Sequence, residues 1–293
     1  MSLMDVFERA KPRWCPGCGD FSIYEALKNA FYELNLKPEE IVIVCGIGCA
    51  TFIWSYINTN AVKGIHGRVL PTATGVKLAN PRLKVIGVSG DGDAYSIGCN
   101  HLVHTARRNV EITYIVVDNG VFGNTRGQSS PTTPIYSVMK NYPSGWPEKP
   151  INPLLLALVS GVTFVAQGFI GDVKRLKEYF KEAINHRGFS LINILSVCPT
   201  FNLMRTVREL REKIVYVEEE GAPLEDVRDA VNLVLSIQRE GKHPVGVIYK
   251  KLEPTYNELV GAMDKLDPAI NYKRISGISE RDLGLKIFLK DQE

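Results

Sequence analysis

Apolar positions along the chain follow two alternating rhythms. In residues 21–35, FSIYEALKNAFYELN, the residues Phe21, Tyr24, Leu27, Phe31 and Leu34 recur at the spacing of one helix face. A short β-branched run, EEIVIVCG (39–46), follows and stops at Gly46. Two similar runs, LKVIGVSG (83–90) and VEITYIVVDNG (110–120), enclose SIGCNHLVHTARRN (96–109), which reads as a helix. The runs TFVAQG (163–168) and FSLINILSVC (189–198) enclose a helical GDVKRLKEYFKEAINH (171–186).

Strands that alternate with helices pair in parallel, because each crossover helix returns the chain to the same edge. Continuous apolar runs fit strands covered on both sides. The expected fold is α/β, a doubly wound and mostly parallel sheet with helices on both faces. Ligands in such sheets sit beyond the carboxyl ends of the strands. Three ends carry unusual residues: CGIGC, SGDGD and DNGVFGNTRGQ. Residues 118–150 follow neither rhythm and predict a functional or disordered loop. From about residue 206 the pattern changes. RELREKIVYVEEEG and EDVRDAVNLVLSIQREG predict exposed amphipathic helices, and HPVGVIYKKLEPTY one more strand and a turn. This divides the chain into a ligand-binding domain, 1–205, and a C-terminal extension, 206–293, packed on it.

The 293 residues are 45% hydrophobic and 23% charged, with a formal net charge of +3, which fits a globular chain with a sizeable core. That charge is too small to argue for nucleic acid. PLLLALVSGV falls short of the ~20 residues of a membrane span. The N-terminal segment lacks the apolar core of a signal peptide. These features predict a cytoplasmic protein, in which the six cysteines serve as thiols or ligands rather than disulfides.

Asp91 in GDG and Asn119 stand at successive strand ends, one strand–helix–strand unit apart, so the two side chains can emerge together. A carboxylate and an amide oxygen suit Mg²⁺, with Val121 able to add its carbonyl and water or phosphate the rest. Gly92 leaves room beside them, and the helix starting near Ser96 points its N-terminal amides at an anion. The plain alternative is a turn with Asp93 or Ser96 as a helix cap. Cys15 and Cys18, in RWCPGCGDFS, fit a zinc site or an iron–sulfur cluster equally on spacing alone.

The GDG, spacer and Asn pattern resembles the thiamine diphosphate fingerprint. The resemblance implies Mg²⁺ held by Asp91, Asn119 and the Val121 carbonyl, bridging to the diphosphate. This chain has Asp118-Asn119 where the motif often has Asn-Asn. A wider likeness covers residues 13–202. WCPGCG, GIGC, HGRVLPTATGVKLANP, GDGDAYSIGCNH, GQSSPTTP and the Cys-Pro-Thr at 198–200 resemble the beta subunit of 2-oxoacid:ferredoxin oxidoreductases. The likeness implies one [4Fe–4S] cluster on Cys15, Cys18, Cys49 and Cys198. It implies a cofactor lined by Ile47, Gly48, Cys49, Ala50, His66, Gly92, Asp93, Gly123 and Asn124, with His66 bonded to a diphosphate oxygen. The implied reaction is coenzyme A-dependent oxidative decarboxylation of a 2-oxoacid to acyl-CoA and CO₂, with electrons passed through the cluster to ferredoxin. No Glu here stands where the aminopyrimidine needs one, so an alpha, or fused gamma-alpha, subunit is expected to supply it.

Cys45 reads as a buried strand residue and Cys99 as a core residue of its helix. His101 and His104 read as a partly buried helix face, and His186 and His243 as surface residues. Arg126 is divided between a substrate or phosphate contact and a solvated loop position. Asn124 resembles the pyruvate-type pattern and RGQ the broader type, which leaves the 2-oxoacid open. Two alternatives stand beside the main reading: an indolepyruvate:ferredoxin oxidoreductase-type or other thiamine-dependent subunit, and a non-catalytic, zinc-stapled α/β binding subunit.

Overall fold

The five apolar runs become strands close to their expected bounds in a computed structural model, which describes residues 6–260. They are β1 (Ile41–Cys45), β3 (Lys84–Gly90), β4 (Thr113–Asp118), β5 (Phe164–Phe169) and β6 (Ser190–Leu195). Between the first two lies β2 (Asn60–Lys63), a short, largely exposed edge strand without an apolar signature. The helices at 21–35 and 171–186 form as α1 (Asp20–Glu33) and α5 (Val173–Asn185). The Asp172 side chain starts α5 by accepting from the Arg175 amide at 3.1 Å. Two helices lacked a readable signal. The first is α2 (Val69–Ala79), rich in Thr and Gly; the second is α4 (Pro153–Val159), apolar along most of its length.

With β7 (Ile214–Tyr216) and β8 (His243–Lys250), the strand order is β2-β1-β3-β4-β6-β5-β8-β7. The first six are parallel, and β8 joins β5 antiparallel. One core, including Phe31, Ile43, Phe180 and Ile192, lies beneath α1 and α5. The other, including Val116, Leu158 and Val234, lies beneath α2, α4, α3 (Cys99–Ala106) and α7 (Val227–Arg239). Helices therefore cover both faces, and the doubly wound α/β expectation holds.

Three expectations change. The helix at 96–109 shortens to α3, because a π-helical turn, Asp93–Ile97, precedes it and Ser96 leaves helical geometry. RELREKIVYVEEEG is not one exposed helix: α6 (Val207–Glu212) gives way to β7 (Ile214–Tyr216) and a 3₁₀ turn, Val217–Glu220. Ile214 pairs with His243 of β8, so sheet pairing overrides the local helical spacing. His186 and His243 are not surface residues. His186 is buried against Thr163, at 2.8 Å, and His243 is half-buried in β8.

The stretch from 119 to 152 is loop, with only isolated bridges such as Phe122–Gln128. Chain beyond residue 260, including the last part of the expected extension, lies outside the described residues. Among the described residues no helix is long and apolar enough to cross a membrane.

Candidate active site

Strand order brings four chain segments together. The adjacent parallel strands β1, β3, β4 and β6 end just before Cys49, Asp91, Asn119 and Cys198. At a strand spacing of ~4.8 Å, this row spans roughly 14 Å. A cleft of about 470 Å³ opens there. Ile47, Gly48, Cys49, Ala50 and His66 line one side, and Asp91, Gly92 and Asp93 lie along β3's end. Asn119, Val121, Gly123 and Asn124 line the other side. A second cavity of about 310 Å³ is bordered by Cys15, Cys18, Cys49 and Cys198. Cys49 and Asn119 border both cavities. Arg126 borders neither; it is exposed, in a left-handed turn.

Asp91 is buried beneath the cleft, and its Oδ2 accepts from the hydroxyls of Ser130 at 2.5 Å and Thr132 at 2.6 Å. Thr132 also lies 2.9 Å from Asp118 Oδ1. Its hydroxyl has one proton, so it cannot donate to both carboxylates at once. Burial, and then the neighbouring Asp118 charge, push the Asp91 carboxyl up to about 7, while Arg205 opposes the rise. A divalent cation would relieve that crowding. Asn119 and Val121 line the cleft together with Asp91, so the hard oxygens available there are the Asp91 carboxylate, the Val121 carbonyl and the Asn119 amide oxygen, which accepts from the Val121 amide at 3.1 Å. Among the described residues, no three His, Cys, Asp or Glu side chains are grouped to hold one metal ion. A carboxylate, an amide oxygen and a carbonyl are donors that suit Mg²⁺ and would leave positions for diphosphate and water.

Gly92 has a different cause from the one expected. A Cβ there would come within 2.1 Å of the Phe122 ring, so Phe122 takes up the space that the glycine leaves. Asp93 is not a simple helix cap either. Its carboxylate accepts from Ser89 Oγ at 2.7 Å, the Gly67 amide at 2.7 Å and the Ile47 amide at 3.3 Å. His66 Nδ1 lies 2.7 Å away without the alignment of a hydrogen bond. A Cβ on Gly46 would strike an Asp93 oxygen at 1.9 Å. One buried carboxylate therefore fixes the loops after β1 and β2 against the end of β3.

The thiol cavity is ordered by local bonds. The Cys18 amide donates to the Cys15 carbonyl at 3.0 Å, with Gly17 left-handed between them at φ 79°. Trp14 Nε1 donates to the Cys49 carbonyl at 2.9 Å. Cys18 Sγ donates to Asp20 Oδ2 at 3.4 Å. Burial raises the Cys49 thiol to about 11 and, with Asp20 nearby, lifts Cys18 further. Thiolates here therefore need a cationic centre beside them, which iron would provide. A Cβ on Gly123 would sit 3.5 Å from Cys198 Sγ and 3.6 Å from Cys49 Sγ, so Gly123 lies against both sulfurs. Cys45 is fully buried in β1, as expected. Cys99 is half-exposed rather than core.

Sequence reasoning assigned no role to Asp20, Trp14, Ser130, Thr132, Asn202 or Arg205. Four of them lie inside quoted stretches, RWCPGCGDFS and GQSSPTTP. Asn202 and Arg205 carried no local signal.

Residues 46–194 match the family described as thiamine pyrophosphate enzyme, C-terminal TPP binding domain. With the fold and the acid–amide pair, this defines the class: a thiamine diphosphate-binding domain. Residues 198–265 match the C-terminal part of the pyruvate ferredoxin oxidoreductase beta subunit. Subunit beta of 2-oxoacid:ferredoxin oxidoreductase 2 from Aeropyrum pernix is 40% identical, covering 85% of this chain and 83% of its own. The corresponding subunit of Saccharolobus solfataricus is 42% identical over 84% of this chain and 85% of its own. A solved 2-oxoglutarate:ferredoxin oxidoreductase of Magnetococcus marinus, with 2-oxoglutarate, coenzyme A and succinyl-CoA bound, superposes with a TM-score of 0.84 at 36% identity, covering 99% of this chain and 96% of that one. The chain belongs to the beta subunits of the 2-oxoacid:ferredoxin oxidoreductases.

Proposed function

We propose that this chain forms the thiamine diphosphate, Mg²⁺ and [4Fe–4S] half of an enzyme that oxidatively decarboxylates 2-oxoacids with coenzyme A and reduces ferredoxin. The observation that carries the reading is the meeting of the two cavities at Cys49 and Asn119. A centre that stabilises a carbanion and a centre that removes electrons singly are useful together only at short range.

Thiamine diphosphate supplies, when bound, the electron sink for loss of CO₂. Asp91, Asn119 and Val121 would hold its metal, and His66 would bond a diphosphate oxygen. Cys15, Cys18, Cys49 and Cys198 would hold the cluster, which would supply a one-electron acceptor. Phe122 and Val121 line the cleft with apolar surface, which limits water beside the reacting carbon. Among the described residues no Glu borders either cavity, which supports an activating Glu from an alpha subunit.

The zinc-stapled alternative and the cluster would use the same thiols and differ in content: one zinc and a colourless protein, or about four irons with sulfide per chain. A panel of 2-oxoacids, assayed anaerobically on this chain assembled with its alpha subunit, tests the reading. Ferredoxin reduction should require the 2-oxoacid, coenzyme A and both subunits. Full activity of this chain alone would refute the division of labour.

A further inference from the structure

The turn after β6 carries Cys198 and then reaches back to the turn after β4. The Asn202 amide nitrogen donates to the Cys198 carbonyl at 3.0 Å, so Asn202 is fixed to the cysteine's own turn. Its side-chain Nδ2 donates to the Asn119 carbonyl at 2.9 Å. Arg205 Nη1 pairs with Asp118 Oδ1 at 3.1 Å, with both side chains largely buried. Between these two contacts sits Gly120, left-handed at φ 68°. A Cβ on Gly120 would come within 3.2 Å of both Arg205 Nη1 and Asn202 Nδ2. The two side chains therefore close over residues 118–120 without space for a third.

We infer that Asn202 and Arg205 are positioning residues for the metal-binding turn, clamping Asp118–Gly120 so that Asn119 presents its amide beside Asp91. The inference rests on the magnesium–diphosphate reading. Arg205 neutralises Asp118, which otherwise stands next to Asp91 through Thr132 and competes for the same hydroxyl proton. Asn202 fixes the backbone of the residue that carries the amide ligand. Because both clamps spring from the Cys198 turn, the cluster ligand and the metal turn are held as one unit.

The test uses full-length chain assembled with its alpha subunit. Calorimetry measures Mg²⁺-dependent thiamine diphosphate affinity, and anaerobic iron and sulfide analysis measures the cluster. Wild-type protein that failed to bind the cofactor would sink the underlying reading, separately from the clamp. Given wild-type binding, Asn202→Ala should weaken affinity about three- to tenfold, the loss of one hydrogen bond. Arg205→Met should weaken it further, and Arg205→Lys, which keeps a cation against Asp118, should recover most of that loss. Iron content should stay at the wild-type level in Asn202→Ala and Arg205→Lys. Equal affinity of the Met and Lys variants would overturn the charge role. Unchanged affinity in Asn202→Ala would overturn the clamp, whether or not Arg205→Met folds.

Discussion

The Asp93 carboxylate lies 2.7 Å from Nδ1 of His66, and its side chain has no exposure to solvent. Its other contacts are donors of the chain itself: the Ser89 hydroxyl and the Gly67 and Ile47 amides. The carboxylate packs directly against the ring, and the ring borders the cleft.

His66→Ala is expected to weaken thiamine diphosphate binding by about three- to tenfold while leaving the melting temperature near wild type, because the ring is partly exposed. Asp93→Ala is expected to do more. It strands two buried donors, the Ser89 hydroxyl and the Gly67 amide, at roughly 1–3 kcal/mol for each group left unsatisfied. Calorimetric binding and thermal melts on the same preparations separate the two effects; equal melting temperatures would reject the anchoring role of Asp93.

Replacing Cys15, Cys18, Cys49 or Cys198 by Ser should each remove most of about four irons per chain, measured anaerobically with sulfide. Cys45→Ser is the control. Cys45 lies within β1, facing core residues, and that variant should keep its iron if it folds. Iron retained in Cys49→Ser but lost in Cys45→Ser would reverse the assignment.

Gly92→Ala should displace Phe122, since the added carbon would overlap the ring at 2.1 Å. Overpacking of this kind costs about 1–3 kcal/mol. Both a lower urea midpoint and weaker cofactor binding are expected, and Gly92→Ala combined with Phe122→Leu should regain part of the stability. No gain in the double variant would show that the glycine is required for some other reason.

Stability should fall as pH drops from about 6.5 to 4 through His186. Burial, with Lys250 and Arg187 nearby, lowers this histidine from its ordinary 6.5 to about 4. The folded state keeps it neutral, and the unfolded state takes up the proton first. Its contribution is therefore complete above pH 6.5, is lost through that window, and is constant below it. The full effect is on the order of 3 kcal/mol. Urea titrations across the window should give a shallower pH slope for His186→Gln than for wild type. Identical slopes would exclude His186 as the source.

Much of the sheet was legible because strands buried on both faces must be apolar throughout, and the runs at 41–45, 84–90 and 113–118 had no solvent-facing residues to blur them. Edge elements were not. The strand at 60–63 is polar and short, and Ile214–Tyr216 lies in a helical charge pattern that β8 pairing outweighs. The sequence by itself determined the α/β alternation and the motifs at the strand ends, since periodicity and glycine-rich turns are local properties. Only the tertiary structure decided that β1, β3, β4 and β6 are neighbours, that Gly92 makes way for Phe122, and that Asn202 and Arg205 close over residues 118–120. Those facts depend on which strands share hydrogen bonds and which side chains fill one space, and residues more than 80 positions apart in the chain have no local pattern to announce that they will meet.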